Sequence, residues 1–299
     1  MMDTVVSITL YDGSEEILNN AISMCRDYEQ LFSRTITTSD IGRINSAEGK
    51  PVEVSSDTIS LLNKAIDICD KSNGKFDITV CPITDLWDVS NSKTIPNNYS
   101  IESALKLVDY KKIKIENNTV TLPKGMALDL GGIAKGYIAD MIAQYLSQNN
   151  VTSAIINLGG NILVIGNKQG KPYNVGIQKP FSHQGEISAE ISIENKSTVT
   201  SGVYQRYFEE NGKIYHHITD TATGYPIDNE VNSVTVIADS SALADGLSTT
   251  CLALGIEEGK KFAESYGAEA IFINKNGEIS YTNGIVLVED GKIPKFKLK

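Results

Sequence analysis

The sequence lacks an excess of basic charge, a long apolar run and any paired metal-ligand motif. Among 299 residues, 27 Lys and Arg stand against 37 Asp and Glu, which gives a formal net charge of −10. Neutralising nucleic-acid phosphates requires a basic surface, so this balance argues against nucleic acid as the main partner and against binding to anionic lipid headgroups. No stretch approaches the roughly 20 apolar residues that a membrane-spanning helix needs. With 41% hydrophobic residues, the composition predicts an acidic globular protein with an ample core.

The sequence also lacks a metal-binding spacing of cysteines and a recognisable signal peptide at its N-terminus. Four cysteines lie at positions 25, 69, 81 and 251, without CxxC or Cys/His ligand spacing, so we expect buried thiols rather than a zinc site. The N-terminus runs straight into an alternating strand, without the basic segment and apolar core of a signal peptide. The residues alone leave two readings open: a cytoplasmic protein, or one whose leader is absent from this chain.

Strands and helices alternate irregularly along the chain. Asp12 and Glu15 suggest a capping box for a helix that runs to about Phe32. Residues 112–122 read as a hairpin in which Ile113 and Ile115 face Val120 and Leu122. Further helices are predicted near 57–72, 133–147, 241–254 and 257–266, and a closing hairpin at 270–282.

This mixture has no strict βαβ order, which favours the α+β class over a doubly wound sheet. There is no internal repeat and no low-complexity linker. The sequence therefore predicts a single two-lobed domain over residues 1–288, built around a mixed β-sheet with flanking helices. Residues 289–299 are lysine-rich, and we expect them to form a loose tail.

The segment LDLGGIAKGYIAD, residues 128–140, reads as a strand, two glycines and a helix start. Helix N-termini attract anions, and a lysine in the first turn opposes the helix dipole, so Lys135 suggests an anionic partner. The segment matches neither the Walker loop nor GxGxxG. A tight turn with a solvated lysine explains these residues equally well.

The segment SALADGLSTTCLALG, residues 241–255, places Asp245 and Thr249 one helical turn apart on the same face. A carboxylate and a hydroxyl on one face can hold Mg²⁺, which takes oxygen ligands. The alternative, favoured on these residues alone, is an aspartate near a helix start and a threonine that bonds back to its own helix.

In KIYHHITDTATGYP, residues 213–226, strand alternation puts Ile214, His216 and Ile218 on one side and His217 on the more polar side. His217 is then a candidate proton acceptor, although a histidine without a role is the more frequent case. Two weaker signals are Phe76 with Asp77, which could meet a heteroaromatic ligand, and the pair at residues 159–160, which could form a bulge between strands.

Taken together and in this order, the segments resemble the FAD:protein FMN transferase (ApbE-like) family. The resemblance extends from Met2 to about Asn283. It is carried by FSRTITTSDIGRIN, GKFDITVCP, LDLGGIAKGYIAD, INLGGNI, TSGVYQRYF, HHITDTATGYP and ADGLSTT.

The resemblance implies an ApbE-like fold related to the T-fold, FAD as substrate and Mg²⁺ as the required metal. It implies that Asp245, Thr249 and the carbonyl of Gly132 ligate the metal and that His217 is the catalytic base. The residues implied to contact FAD are Met2, Thr35, Lys75, Phe76, Asp77, Asp129 and Lys135. Members of the family attach FMN to a threonine or serine hydroxyl of an acceptor protein and release AMP.

The chain departs from the family pattern at three positions. Some relatives carry an aromatic residue over the flavin where this chain has Thr35, and the usual Asp after Gly-Gly is Asn161. Ser248 stands where a third acidic residue sometimes lies near the metal.

Family members usually act outside the cytoplasm as lipid-anchored proteins. The resemblance therefore implies an extracytoplasmic, membrane-associated lipoprotein whose N-terminal leader and anchor are absent from this chain. Two other activities are compatible with the same sites: an Mg²⁺-dependent FAD pyrophosphatase that gives FMN and AMP, and a flavin-binding carrier without catalysis.

Overall fold

A computed structural model describes residues 4–299. Met2, which the family resemblance places at the flavin, lies outside these residues. The helices are α1 (Glu15–Phe32), α2 (Asp40–Asn45), α3 (Ser56–Lys71), α4 (Cys81–Trp87), α5 (Asn98–Leu105), α6 (Ala134–Gln148), α7 (Ser241–Leu254) and α8 (Ile256–Ser265), with a 3₁₀ turn at Tyr110–Lys112. None of the helices within residues 4–299 is both long and apolar enough to cross a membrane.

The strands of the same residues are short. They are β1 (Val6–Leu10), β2 (Val52–Glu53), β3 (Lys114–Glu116), β4 (Thr119–Thr121), β5 (Ala154–Leu158), β6 (Asn161–Ile165), β7 (Tyr173–Gln178), β8 (Ile187–Ile193), β9 (Ser197–Gly202), β10 (Tyr207–Glu210), β11 (Lys213–His216), β12 (Val231–Ala238), β13 (Glu269–Asn274), β14 (Ile279–Tyr281), β15 (Ile285–Glu289) and β16 (Lys295–Leu298).

The described chain divides into two compact units. The first unit comprises the residues up to Arg26 together with Lys135–Gly202 and Glu230–Lys299, and the second comprises Asp27–Ala134 and Val203–Asn229. The mixture of helices and sheets confirms the predicted α+β class.

The first unit is built on two sheets. A seven-stranded sheet runs in the order β1-β5-β6-β9-β12-β13-β14, and a four-stranded sheet in the order β15-β16-β8-β7. Ile237 and Ile271 of the larger sheet share an apolar core with Ile177 and Ile191 of the smaller one. Helix α7 packs on β9 and β12, on the other face of the larger sheet.

The sheet pairing differs in detail from the predicted mixed sheet. Every pair in the seven-stranded sheet is antiparallel, although only β5-β6 and β13-β14 are joined by hairpins. Mixed pairing occurs in the four-stranded sheet, where β16 runs parallel to β8.

The prediction of a loose C-terminal tail is wrong. Residues 295–298 form β16, which lies between β15 and β8, and Phe296 is buried in the shared core. The lysines at positions 295, 297 and 299 suggested a solvated segment. They alternate with Phe296, however, and strand geometry places Phe296 on the core face.

The second unit contains α2–α5, a three-stranded sheet in the order β2-β4-β3 and the hairpin β10-β11. Ile115 pairs with Val120, which confirms the predicted hairpin register. Trp87 is the centre of an apolar cluster with Ile83, Ile101 and Phe208, and its indole N–H donates to the carbonyl of Gly224 at 2.7 Å.

Three local predictions are corrected by the structure. Ser14, not Asp12, caps α1, because its hydroxyl accepts from the backbone N–H of Ile17, whereas the Asp12 carboxylate accepts from Thr152. Residues 126–130 form no strand. The N–H of Leu128 donates to Asn45 Oδ1, and the N–H of Asp129 donates to the carbonyl of Ile78. The glycines at 159–160 are not a bulge but a two-residue hairpin turn with φ of 68° and 93°.

Candidate active site

Helix α7 places a nearly buried carboxylate beside the first turn of α6. Asp245 is 3% exposed, and its Oδ2 accepts from the backbone N–H of Gly136 at 2.9 Å. Its Oδ1 lies 3.9 Å from the ammonium of Lys135. The structure thus brings together Lys135 and Asp245, two residues that the sequence singled out in separate motifs. The lysine compensates the charge of a carboxylate that burial would otherwise penalise.

Thr249 lies one turn further along α7, in a short chain of hydroxyls. Its Oγ1 is 3.1 Å from Ser201 Oγ, which is 2.7 Å from Ser248 Oγ. Ser248 in turn donates to the carbonyl of Asp245 at 2.8 Å. Since each hydroxyl has one proton, Ser201 donates to Ser248 and Thr249 donates to Ser201. The hydroxyl oxygen of Thr249 then accepts no hydrogen bond within this chain of hydroxyls, so its two lone pairs are not used there.

These donors fit a magnesium ion chemically. Mg²⁺ prefers carboxylate, hydroxyl and carbonyl oxygens and takes few protein ligands, because it retains waters and binds substrate phosphates. Asp245 and Thr249 supply oxygens of two of these kinds from one helix face. Within residues 4–299, no group of three or more His, Cys, Asp or Glu side chains is arranged to hold a metal ion.

In the second unit, Asp129 belongs to an ion-pair cluster around Arg34. The guanidinium Nε lies 3.2 Å from Asp129 Oδ2, and Nη1 donates to Asp85 Oδ1 at 2.5 Å and to Cys81 Sγ at 3.1 Å. Partial burial lowers the pKa of Arg34, but the carboxylates of Asp129 and Asp85 outweigh it and raise that pKa above its ordinary value. Burial raises the pKa of the Cys81 thiol to about 12, so it stays protonated. Arg34 is therefore a permanent cation.

Asp129 also shapes the turn that precedes α6. Its Oδ1 accepts from the backbone N–H of Gly131 at 2.8 Å, which makes an Asx turn. Gly132, whose carbonyl is a predicted metal ligand, follows in the same turn. Arg34 thus holds the side chain of Asp129, and Asp129 in turn stabilises this turn.

The GKFD segment is more enclosed than a ligand-contacting role predicts. Phe76 is 7% exposed and Asp77 is 8% exposed. Asp77 Oδ1 accepts from the N–H and the hydroxyl of Thr79 at 2.7 and 2.6 Å, and Oδ2 accepts from the N–H of Tyr110 at 3.1 Å. In this structure Asp77 is thus engaged in joining two loops of the second unit.

Lys75, next to this buried pair, is half-buried and reaches another turn. Its ammonium lies 3.4 Å from Asp220 Oδ2, and the hydroxyl of Thr221 donates to the carbonyl of Gly74 at 2.5 Å. The predicted turn after the histidines is confirmed, because Gly224 N–H donates to the carbonyl of Asp220 at 2.7 Å. Thr35, by contrast, is exposed, with its Oγ1 at 3.0 Å from Ser33 Oγ.

The two adjacent histidines have different surroundings. His216 is 4% exposed; its Nε2 donates to the carbonyl of Ile227 at 2.9 Å and its Nδ1 accepts from the N–H of Ile218 at 3.3 Å. His217 is only half-buried, and its Nδ1 lies 3.2 Å from the carbonyl of Arg206. A carbonyl only accepts, so Nδ1 carries the proton and the lone pair of neutral His217 is on Nε2.

The predicted orientation of the histidines is confirmed, but the alternation on which it was based fails at Ile214 and Tyr215. Ile214, expected on the packed side with His216, is 36% exposed. Tyr215 is the residue that packs, stacked on Phe208 with ring centroids 5.2 Å apart. Strand β11 ends at His216, but burial still alternates beyond it: Ile218 is buried like His216, as predicted, and His217 between them is half-buried.

Comparison with known proteins shows the family to which this chain belongs. The sequence model of the ApbE family matches residues 2–272 of this chain. The chain belongs to the ApbE family. The FAD:protein FMN transferase of Klebsiella pneumoniae (strain 342) is 34% identical over 285 residues, which are 93% of this chain and 89% of that protein. The FAD:protein FMN transferase of Treponema pallidum (strain Nichols) is 32% identical, over 90% of this chain and 80% of the relative.

Solved structures of ApbE proteins have the same fold. The ApbE protein of Thermotoga maritima superposes with a TM-score of 0.84 at 30% identity and covers 93% of both chains. The flavin transferase ApbE of Vibrio cholerae gives a TM-score of 0.81 at 26% identity, over 93% of this chain and 97% of that one.

Two departures from the ApbE family pattern have defined surroundings in this chain. Asn161 is 1% exposed, and its Oδ1 accepts from the hydroxyl of Ser241 at 2.6 Å. Ser248 is fully buried in the hydroxyl chain described above, where an acidic side chain would meet the carbonyl of Asp245.

Sequence reasoning missed Arg34 and Ser201 as contributors to these two clusters. Both lie in segments that carried the ApbE resemblance, FSRTITTSDIGRIN and TSGVYQRYF. No spacing rule links Arg34 to Asp129 or Ser201 to Thr249, because these contacts join residues far apart in sequence. Their place in the segments that resemble the ApbE family was the available signal.

Proposed function

We propose that this chain transfers FMN from FAD to a threonine or serine hydroxyl of an acceptor protein, releases AMP and requires Mg²⁺. The names of its ApbE relatives support transfer of FMN from FAD to protein. The observation that carries the proposal is the buried carboxylate of Asp245 with Lys135 and Thr249 beside it. An anionic pyrophosphate with a divalent cation is the kind of ligand that this donor set suits.

In this proposal Asp245, Thr249 and the carbonyl of Gly132 hold the metal. Bound there, Mg²⁺ would neutralise the pyrophosphate and stabilise the departing phosphate oxygen of AMP. Lys135 adds positive charge next to the same carboxylate. Phosphoryl transfer asks mainly for positioning and charge neutralisation, which these residues supply. Residues proposed to contact FAD are Met2, Thr35, Lys75, Phe76, Asp129 and Lys135. Asp77, whose two oxygens accept hydrogen bonds from Thr79 and Tyr110, is proposed to support this segment rather than to touch FAD.

His217 is proposed as the base. The hydroxyl oxygen of the acceptor attacks the FMN phosphorus, the bond from that phosphorus to the AMP oxygen breaks, and Nε2 of His217 takes the hydroxyl proton. The Nδ1 bond to the carbonyl of Arg206 supports this role, because it fixes the tautomer that has its lone pair on Nε2.

The test is mass spectrometry of candidate acceptor proteins after incubation with FAD, Mg²⁺ and this protein. We expect an increment of one FMN less one water on a single threonine or serine, with one AMP released per acceptor modified. Free FMN with an unmodified acceptor would indicate the pyrophosphatase instead. Intact FAD after prolonged incubation would indicate a carrier.

The family resemblance also supports an extracytoplasmic, membrane-anchored location, which we propose for this protein. Fractionation of cells that express it from its own gene tests this. Recovery with the membranes and loss of that signal after removal of lipid-modified residues are the expected results. Recovery in the cytoplasmic fraction would contradict the proposal.

A further inference from the structure

We propose that Asp140 is a positioning residue that fixes the first turn of α7 and thereby sets Asp245 for the metal. This inference rests on the proposed metal site of the preceding section. Asp140 lies in the second turn of α6, within the LDLGGIAKGYIAD segment. No role was assigned to it from the sequence.

The carboxylate of Asp140 caps α7 from outside that helix. Oδ1 accepts from the backbone N–H of Ser241 at 2.6 Å, and Oδ2 accepts from the N–H of Ala242 at 3.0 Å and from the hydroxyl of Ser240 at 2.7 Å. The first N–H groups of a helix have no partner within it and carry partial positive charge. A carboxylate at this place is a strong, charge-assisted acceptor for two of them.

The same helix touches α7 again at the metal residue itself. Gly136 precedes Asp140 by one turn on α6, and its N–H donates to Asp245 Oδ2 at 2.9 Å. No side chain fits at position 136, because a Cβ there would collide with the carbonyl of Ser241. Helix α6 therefore contacts α7 at two levels, through Asp140 at the first turn and through Gly136 at Asp245.

Other contacts hold the first turn of α7 from the opposite side but carry no charge. The hydroxyl of Ser241 donates to Asn161 Oδ1 at 2.6 Å and accepts from Ser197 at 2.9 Å. Ser240 provides the ordinary cap, with its Oγ accepting from the N–H of Leu243 at 3.3 Å. Asp140 adds the charged contact between this turn and α6, the helix whose backbone also packs against Ser241 at Gly136 and bonds Asp245.

A small displacement of α7 is enough to matter for the metal. Mg²⁺ demands near-ideal octahedral geometry with oxygens at about 2.0–2.1 Å, so its affinity falls when a ligand is misplaced by fractions of an ångström. Asp245 follows Ser241 by one helical turn, so a shift at the start of α7 is passed to the carboxylate by the rigid helix. Removal of the Asp140 charge should therefore weaken metal binding without removal of any ligand.

The experiment is calorimetric titration of Mg²⁺ into the protein without FAD or acceptor, for Asp140→Asn and for a matched control. The amide keeps the shape of the side chain, but its NH₂ group cannot accept the bonds that one carboxylate oxygen accepts. We expect a 10- to 100-fold loss of Mg²⁺ affinity, roughly the effect of removing a residue that orients a metal ligand. In transfer assays, the Mg²⁺ concentration at half-maximal rate should rise, with most of kcat restored at saturating Mg²⁺.

Asp239→Asn is the matched control. Asp239 precedes Ser240, its side chain is 85% exposed, and it pairs with Lys196 rather than with α7. The Asp239→Asn substitution removes the same charge close to the same helix end. Because this ion pair is exposed, the Mg²⁺ affinity of the variant should stay within about twofold of the wild type.

An Asp140→Asn protein that is folded and binds Mg²⁺ as tightly as Asp239→Asn overturns the inference, even if its melting temperature falls. If Asp140→Asn does not fold, Ser240→Ala decides: it removes one of the three bonds to Asp140, together with the cap on the N–H of Leu243, and should weaken Mg²⁺ binding roughly 2- to 10-fold. An unchanged affinity in Ser240→Ala would overturn the inference as well.

Asp245→Ala separates this inference from the proposed function. If Asp245→Ala loses Mg²⁺ binding and Asp140→Asn does not, the positioning role alone is refuted. If Asp245→Ala binds Mg²⁺ normally, the metal site is elsewhere and both proposals fail.

Discussion

Two buried aspartates, one in each unit, show how differently the same side chain is used. Asp77 accepts bonds from Thr79 and from the N–H of Tyr110, so both of its oxygens have protein donors. Asp245 accepts one backbone N–H on Oδ2, while Oδ1 faces the ammonium of Lys135 at 3.9 Å, beyond hydrogen-bond distance. The first carboxylate joins two loops, and the second has one oxygen beside a lysine, where we propose that the metal binds.

The two adjacent histidines repeat this contrast. The ring nitrogens of His216 bond to backbone groups of Ile227 and Ile218, and Nδ1 of His217 bonds to the carbonyl of Arg206. Burial alone does not mark a functional residue in this protein. The proposed roles of Asp245 and His217 therefore do not follow from their burial and need the experiments below.

The largest expected effect is that of Asp245→Ala. Loss of a metal-ligating carboxylate removes several kcal/mol of transition-state stabilisation, so FMN transfer should fall about 10³-fold or more. The fold should persist, because the change leaves a single backbone N–H, that of Gly136, without its acceptor. Rates of transfer and circular dichroism of the same preparation check both statements. A folded variant with normal transfer would remove Asp245 from the site.

The histidine pair should separate chemistry from stability. His217→Ala should lower kcat by about 10²–10⁴, as expected for loss of a general base, with FAD affinity nearly unchanged. His216→Ala should affect mainly the melting temperature, because its two backbone partners lose their bonds. Both variants are compared at saturating FAD and Mg²⁺, so that weaker binding is not mistaken for slower chemistry.

The opposite result for the pair would be informative. If His216→Ala loses activity and His217→Ala does not, the tautomer argument given for His217 fails. If neither variant is slow, the proton goes to water or to a carboxylate such as Asp220.

Asp77→Ala should act on stability rather than on chemistry. Two buried backbone N–H groups, those of Thr79 and Tyr110, would lose their acceptor, at a cost of about 2–4 kcal/mol in the free energy of unfolding. Denaturant titration measures this, with Asp67→Ala as the control: Asp67 is a half-exposed partner of Lys71, worth at most about 0.5 kcal/mol. A stable Asp77→Ala protein with impaired FAD binding would return Asp77 to the ligand-contacting role.

The smallest expected effect is a pH dependence from the same residue. Burial raises the pKa of Asp77 above its ordinary 3.8, although hydrogen bonds from Thr79 and Tyr110 lower it. The folded protein then binds a proton that the unfolded chain has released, so this contribution to stability falls as pH rises from 3.8 through the raised pKa. Denaturant titrations of the wild type and of Asp77→Asn across this pH range measure it. The free energy of unfolding of the wild type should fall relative to that of Asp77→Asn as pH rises. The reverse slope would mean that the hydrogen bonds outweigh burial.

Elements with strong local signals were predictable from the sequence. Helix α7 was predicted at its observed bounds, since its capping serine and its terminating glycine are both local. The hairpin around residues 117–118 followed from alternation and turn residues in the same way. The same signals placed Asp245 and Thr249 on one helix face.

Contacts between distant segments were not predictable. The extended stretch at 126–130 looked like a strand because it is apolar, yet its partners are Asn45 and Ile78. Short α2 (Asp40–Asn45) was missed because its stability comes from packing and from the Ser39 cap rather than from length. The enclosure of Asp77 and the cluster around Arg34 depend on such distant partners, so the sequence motif alone could not separate a ligand contact from a structural bond.

The position of β16 has a consequence for the order in which the protein assembles during synthesis. This strand completes the four-stranded sheet between β15 and β8, and about a hundred residues separate Ile193 at the end of β8 from Lys295. While the ribosome adds those residues, β8 presents an unpaired edge and the site for Phe296 stays open to water. Newly made chains are therefore exposed to aggregation through this sheet until residues 295–298 emerge, and shortening the chain by its last five residues would leave that edge open permanently.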